Sequence, residues 1–190
     1  MNEAVNTARF AAILFLVAMI ASLVGGGLLE TAKSSSTELI FITGIALEIL
    51  NAFAVLGIGI LLFRVIKKFH KNGAIIYLSL RILESVACFA APLVLVLFAN
   101  NSDLRMFLTG KMIPLFFCVG ALVLYTVLYA FRLLPRVISL WGFIGVGGII
   151  VLNLENFETS TGLLLALPII LNEVFLGIWL IVKGFNKTEE

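Results

Sequence analysis

Six long apolar runs separated by short polar stretches leave this chain little choice of solvent. A helix that crosses a bilayer needs ~20 apolar residues. In hydrocarbon the backbone must also satisfy its own hydrogen bonds, which restricts spanning segments to helices and closed barrels. The runs are Ala8 to Leu29, Glu38 to Phe63, Ala74 to Phe98, Ile113 to Phe131, Val137 to Leu154 and Leu163 to Val182. They occupy most of a 190-residue chain that is 62% hydrophobic, 13% charged and has a mean hydropathy of +1.17. Soluble domains carry about 25% charged residues. The expectation is an all-α fold, an integral membrane bundle of six transmembrane helices, forming a single domain over residues 1–190 with the lipid bilayer as its first partner.

The first run is preceded by Asn6 and Thr7 and carries Arg9 near its start. It lacks a basic leader and a small-residue cleavage site, so it is expected to be retained as a span. The connections are short. Thr31 to Thr37 is expected to be a polar turn, and Asn72-Gly73 is expected to close a basic loop, Arg64 to Gly73. Asn100 to Lys111 is expected to be the longest polar loop. Arg132 to Arg136 is tight, with Pro135 suited to a helix start. Asn153 to Gly162 is acidic. Basic residues divide unevenly between alternate sides. Arg9, Arg64, Lys67, Lys68, Lys71, Arg132, Arg136, Lys183 and Lys187 fall on one, and Lys33, Arg105 and Lys111 on the other. The positive-inside rule then places both termini in the cytoplasm, in a multi-pass protein of the inner (plasma) membrane. Trp141 and Trp179 fall near the inner interface, where aromatic belts form. Net charge is +2, and the basic residues follow topology, so no nucleic-acid partner is expected.

Metal and catalytic signatures are sparse. Cys88 and Cys118 lie in apolar runs outside any CxxC and read as buried small hydrophobes. A single histidine, His70, rules out a three-His zinc site. No phosphate-binding loop, nucleophile elbow, HExxH or dinucleotide fingerprint occurs, so no metal and no cofactor are expected.

What remains is a set of polar residues inside the spans. Glu48, Arg81, Glu84 and Glu173 each lie several turns from a helix end. A charge at membrane depth costs about 3 kcal/mol or more unless it is paired or hydrated, and such residues mark functional pathways. At a rise of ~1.5 Å per residue, Glu48, Glu84 and Glu173 each lie roughly 15 Å from a surface, near the midplane. Tyr77, Arg81, Glu84 and Cys88 are spaced four, three and four, so they share one helix face, and Arg81 can pair with Glu84. Gly44, Glu48 and Asn51 share a side of the second span. Asn172 and Glu173 follow Pro168, which frees a carbonyl and kinks its helix. Three carboxylates face one guanidinium. Either one glutamate carries a proton at neutral pH, or a cation or bound ligand supplies the missing charge. The candidate ligand-binding or proton-titrating residues are therefore Glu48, Asn51, Tyr77, Arg81, Glu84, Asn172 and Glu173. In the fifth run, Gly142, Gly145 and Gly148 with Gly147 are expected to serve close helix packing. Gly25-Gly26-Gly27 is expected to end the first helix.

Several segments resemble a family of small bacterial multi-span membrane proteins, the domain of unknown function family 4386. The likeness rests on Leu134-Pro135-Arg136 with Ser139, Trp141 and Gly142, and on Asn172-Glu173 leading into the run Trp179 to Phe185. Glu48 with Asn51 and Arg81 with Glu84 fit the same pattern. The resemblance implies a compact six-helix inner-membrane protein and brings no known activity. Function therefore rests on the polar cluster. The leading expectation is binding or transport of a small molecule or ion. The alternatives are an intramembrane enzyme acting on a lipid, with two glutamates as acid and base, and a structural or regulatory membrane subunit in which the cluster holds helices together.

Overall fold

The computed structural model describes residues 2–34, 38–98, 102–154 and 159–186. The elements are α1 (Asn2–Ser34), α2 (Glu38–Ile66), α3 (Lys71–Leu97), α4 (Ser102–Phe107), a π-helical turn (Leu108–Met112), α5 (Ile113–Ala130), α6 (Arg136–Leu154) and α7 (Thr159–Val182). The segments α4, the π turn and α5 follow one another without a break and form one rod. Six helical stretches are long and apolar enough to cross a membrane, and no strand occurs among the described residues. The expected all-α six-span architecture is what the chain forms.

Three local expectations are corrected. The fourth span begins at Ser102 rather than at Ile113, so most of the stretch read as the longest loop is helix. Leu104, Met106, Phe107 and Leu108 are apolar enough to extend the run outward around Arg105. The glycine triplet does not end α1, which continues through Leu28-Leu29 to Ser34; of the expected polar turn, 35–37 lie outside the described residues. Asn72-Gly73 falls inside the first turn of α3 rather than closing the loop before it. His70 supplies the N-cap, its Nδ1 accepting from the Gly73 N–H at 2.8 Å. That bond satisfies one of the orphan donors of a helix start.

The helices stand in a ring in chain order. Each packs on the next, α3 meets the α4–α5 rod, and α7 returns to α1 and closes the circle. Within lipid, helices gain little from excluding apolar surface, so association depends on close packing of small residues. The interfaces show this directly. Gly25 and Gly44 face each other between α1 and α2, and a Cβ on Gly44 would sit 3.2 Å from the Gly25 carbonyl oxygen. A Cβ on Gly59 would lie 2.7 Å from the Cβ of Arg81 on α3. Gly142 lies under the ring of Tyr125, Gly145 meets the backbone of Ile169, and Gly148 meets the carbonyl of Leu165. Gly177 closes α7 onto Leu16 of α1. The expected packing role holds for Gly142, Gly145 and Gly148. Gly147 has nothing within 4 Å of a built Cβ. Outward-facing Phe10, Leu39, Val137 and Leu164 are among the large exposed apolar side chains of the rim.

Contacts gather the basic segments at one end. Arg9 Nε donates to Ile181 O at 3.2 Å, and Phe69 meets Phe131 with ring centroids 5.4 Å apart. Asn186 donates from its backbone to Leu133 O and from its side chain to Arg132 O, both at 2.8 Å. At the opposite end Lys111 donates to Asn153 O. Near the basic end the ring is filled. Ile58, Leu62, Ile66, Tyr77, Leu124 and Leu176 are each no more than 2% exposed.

Candidate functional site

Above that plug the ring is hollow. Two adjoining chambers of about 280 and 250 Å³ share Ser22, Asn51, Cys88 and Ile113. Their walls come from helix faces repeating every three or four residues. Glu48, Asn51, Val55 and Ile58 belong to α2, and Arg81, Glu84, Cys88 and Ala91 to α3. On the fourth span the residues are Arg105, Thr109, Ile113 and Phe117. A strict spacing of four drifts about 40° per step around an α-helix. The π turn, closed by the Ile113 N–H onto Leu108 O, widens the local winding and takes back part of that drift. The larger chamber, lined by exposed Glu30 and Thr109, lies farther from the basic end and is the outer one; the hollow is open there.

The outer chamber holds a forked ion pair. Arg105 Nη2 donates to Glu48 Oε1 at 2.7 Å and Nη1 to Glu48 Oε2 at 2.9 Å, while Nη1 also reaches Ala91 O at 3.0 Å. Arg105 is the charged residue of the hollow that sequence reasoning placed in a loop. Its span-like neighbours and its four-residue spacing to Thr109 and Ile113 were the available signal. With it, the cluster holds three carboxylates and two guanidinium groups, and the charge excess falls from two to one.

The inner chamber holds the second pair. Arg81 Nη1 donates to both oxygens of Glu84, at 3.1 and 2.9 Å, and Nε donates to the Tyr77 hydroxyl at 3.0 Å. The guanidinium also lies over the rings of Tyr77 and Phe117, 5.4 and 5.7 Å from their centroids. Gly59 makes room for the root of this side chain against α2. Between the pairs, Asn51 Nδ2 approaches Cys88 Sγ at 3.7 Å, and Ser85 Oγ donates to Ala52 O at 2.8 Å, tying α3 to α2.

Glu173 projects from α7 into the inner chamber, whose lining also includes Arg81 and Glu84. Among the described residues its carboxylate accepts no hydrogen bond and forms no ion pair. It is the one carboxylate of the three that the protein leaves without a direct partner.

Residues 10–184 match the protein family described as a domain of unknown function, DUF4386. The chain belongs to this family. No curated protein and no solved structure matches it. Of the candidate residues, Glu48, Asn51, Arg81, Glu84 and Glu173 line the hollow, and Tyr77 lies fully buried beneath it as the support of Arg81. Asn172 lies elsewhere. It is fully buried, accepts from the Tyr125 hydroxyl at 2.6 Å and donates to Ile138 O at 2.9 Å, so it ties α5, α6 and α7 together. Successive residues on a helix point about 100° apart, which is why Asn172 turns away while Glu173 faces the chamber. Gly44 likewise packs on α1 instead of lining the hollow. The segments that carry the family likeness meet on that same α5–α6–α7 wall. Trp141, Phe175 and Trp179 stack in series, with centroids 5.9 and 6.2 Å apart, and Arg136 lies over Tyr129 at 5.0 Å. Among the described residues no group of three or more His, Cys, Asp or Glu is arranged to hold a metal ion.

Proposed function

We propose that this six-span protein binds, or carries across the plasma membrane, a small molecule or ion held in the hollow of its helix ring. The basic segments at one end support cytoplasmic placement of both termini by the positive-inside rule. The hollow then opens to the outside and is stopped on the cytoplasmic side by the apolar plug below Arg81. Carriage to the inside would require that plug to part.

The observation that carries the proposal is the unpartnered carboxylate of Glu173 beside a hollow already containing two satisfied ion pairs. A cluster serving only to hold helices together would need neither the hollow nor the third carboxylate, because an uncompensated charge at this depth works against stability. Ionisable residues kept inside spans typically face water-filled cavities and mark ligand or ion pathways.

Cys88, which lines both chambers, makes the proposal testable. In a Cys118→Ala variant of the full chain, a small water-soluble methanethiosulfonate applied at alkaline pH, which supplies the reactive thiolate, should modify Cys88 in the folded protein. A Cys88 that stays unmodified until the protein is unfolded would mean a closed, dry cluster and would overturn the site.

A further inference from the structure

The inner chamber has a definite chemical character, and it constrains the ligand beyond "small molecule or ion". Its ionisable side chains are Arg81, Glu84 and Glu173, which leave an excess of one negative charge when all three are ionised. Arg81 has partners on two of its three nitrogens, Nη1 and Nε. Both carboxylate oxygens of Glu84 take its Nη1, the Tyr77 hydroxyl takes its Nε, and the rings of Tyr77 and Phe117 lie near its planar group. An incoming anion would find only Nη2 of Arg81 open, and there it would meet the carboxylates of Glu84 and Glu173, which line the same chamber. The outer guanidinium of Arg105 is matched in the same way by both oxygens of Glu48.

A bare metal ion fits no better. Mg²⁺ and Ca²⁺ demand six or more oxygen ligands, whereas the rest of the chamber wall around Glu173 is mostly apolar, including Phe15, Met19, Val55, Phe117 and Ile170. That combination suits an ion whose charge is single and whose body is itself apolar. Aromatic faces attract organic ammonium groups, most strongly when these are desolvated. The volume is sufficient, since a cavity of about 150 Å³ already admits benzene and this chamber measures about 250 Å³.

We propose that the inner chamber takes a monovalent organic cation, an amine or quaternary ammonium with an apolar body, with Glu173 as its counter-ion. The proposal rests on the hollow being a ligand site and names the class of ligand. Phe15, Phe117 and Met19 receive the apolar body. The Arg81–Glu84 pair stays closed and holds the chamber's shape.

The test uses the full-length protein in detergent and two aromatic ions of similar size and opposite charge, benzyltrimethylammonium and benzenesulfonate, followed by equilibrium dialysis. Benzyltrimethylammonium should bind saturably, and an equal concentration of sodium should not displace it. Glu173→Gln should weaken the binding at least ten-fold. Glu173→Asp, which keeps the charge, should retain binding within a few-fold and guards against a loss that is only misfolding. Absence of saturable ammonium binding, equal binding by Glu173→Gln, or displacement by sodium would each overturn the proposal. Saturable binding of benzenesulfonate alone would overturn the ligand class while leaving the hollow a site. If neither ion binds, the class again falls, and modification of Cys88 then decides whether the site falls with it.

Discussion

Replacing Arg81 by alanine should be among the most damaging single changes in the chain. The guanidinium makes two contacts with Glu84, at 3.1 and 2.9 Å, and a third bond to the Tyr77 hydroxyl. Side-chain exposures of 3% and 5% place this pair well away from bulk solvent. Removing one member of a buried pair costs about 3–5 kcal/mol, because the other is left charged and unmatched. Here Glu84 would lose its ion-pair partner, and Glu173 the guanidinium that shares its chamber. For a chain of this length each kcal/mol shifts the melting temperature by about 2–4 °C, so the expected loss is roughly 6–20 °C. Trp141 and Trp179, stacked on Phe175, offer an intrinsic fluorescence readout of unfolding in detergent. Glu48→Gln should cost less, since it keeps the shape and one acceptor, and the Arg105–Glu48 pair is more exposed, at 10% and 13%. The double variant Arg81→Met/Glu84→Met should recover much of the loss, because a buried pair replaced by apolar groups of similar volume is often tolerated. A melting temperature for Arg81→Ala equal to wild type would refute the reasoning, since it would mean the guanidinium is hydrated and holds nothing.

Three further outcomes follow from the packing and the topology. Gly145→Ala should destabilise by about 1–3 kcal/mol, the cost of overpacking against a backbone, because its Cβ would lie 2.7 Å from the Cα of Ile169. Gly147→Ala, with nothing within 4 Å, should be neutral or stabilising by up to about 1 kcal/mol; thermal unfolding that ranks the two the other way would mean the ring interfaces are misassigned. Asn172→Ala should lower stability by about 1–3 kcal/mol by orphaning the Tyr125 hydroxyl, yet leave Cys88 modification unchanged, and an altered labelling rate with unaltered stability would move Asn172 from wall tie to site. A reporter fused after Glu190 should be active only in its cytoplasmic form; activity of a periplasm-only reporter there would invert the topology.

Much of the ring was legible because hydrocarbon imposes simple rules. Length and hydropathy place six spans, and the three-residue spacing of Arg81 and Glu84 brings them onto one face. Arg105 was missed for a physical reason. Hydropathy counting penalises a guanidinium wherever it falls, while the folded chain offsets that penalty with Glu48 on α2, a partner 57 positions away in sequence. The π turn that helps aim Arg105, Thr109 and Ile113 into the hollow has no composition signature. Asn172 looked like a site residue because it adjoins Glu173, but adjacency along a helix separates side chains around its axis. Asn72-Gly73 has the composition of a helix stop, and the His70 cap turned it into a helix start. The glycine triplet carries breaker residues, yet α1 continues because leaving the helix in lipid would expose unsatisfied backbone groups.

The proposed ligand site beside Glu173 is tested most directly by a density map of the protein isolated from its own membrane without added ligand. Density that is not protein should lie between Glu173, Phe117 and Met19, with the Arg81–Glu84 pair intact beneath it. A chamber collapsed so that Glu173 accepts a hydrogen bond from a protein donor would contradict that site.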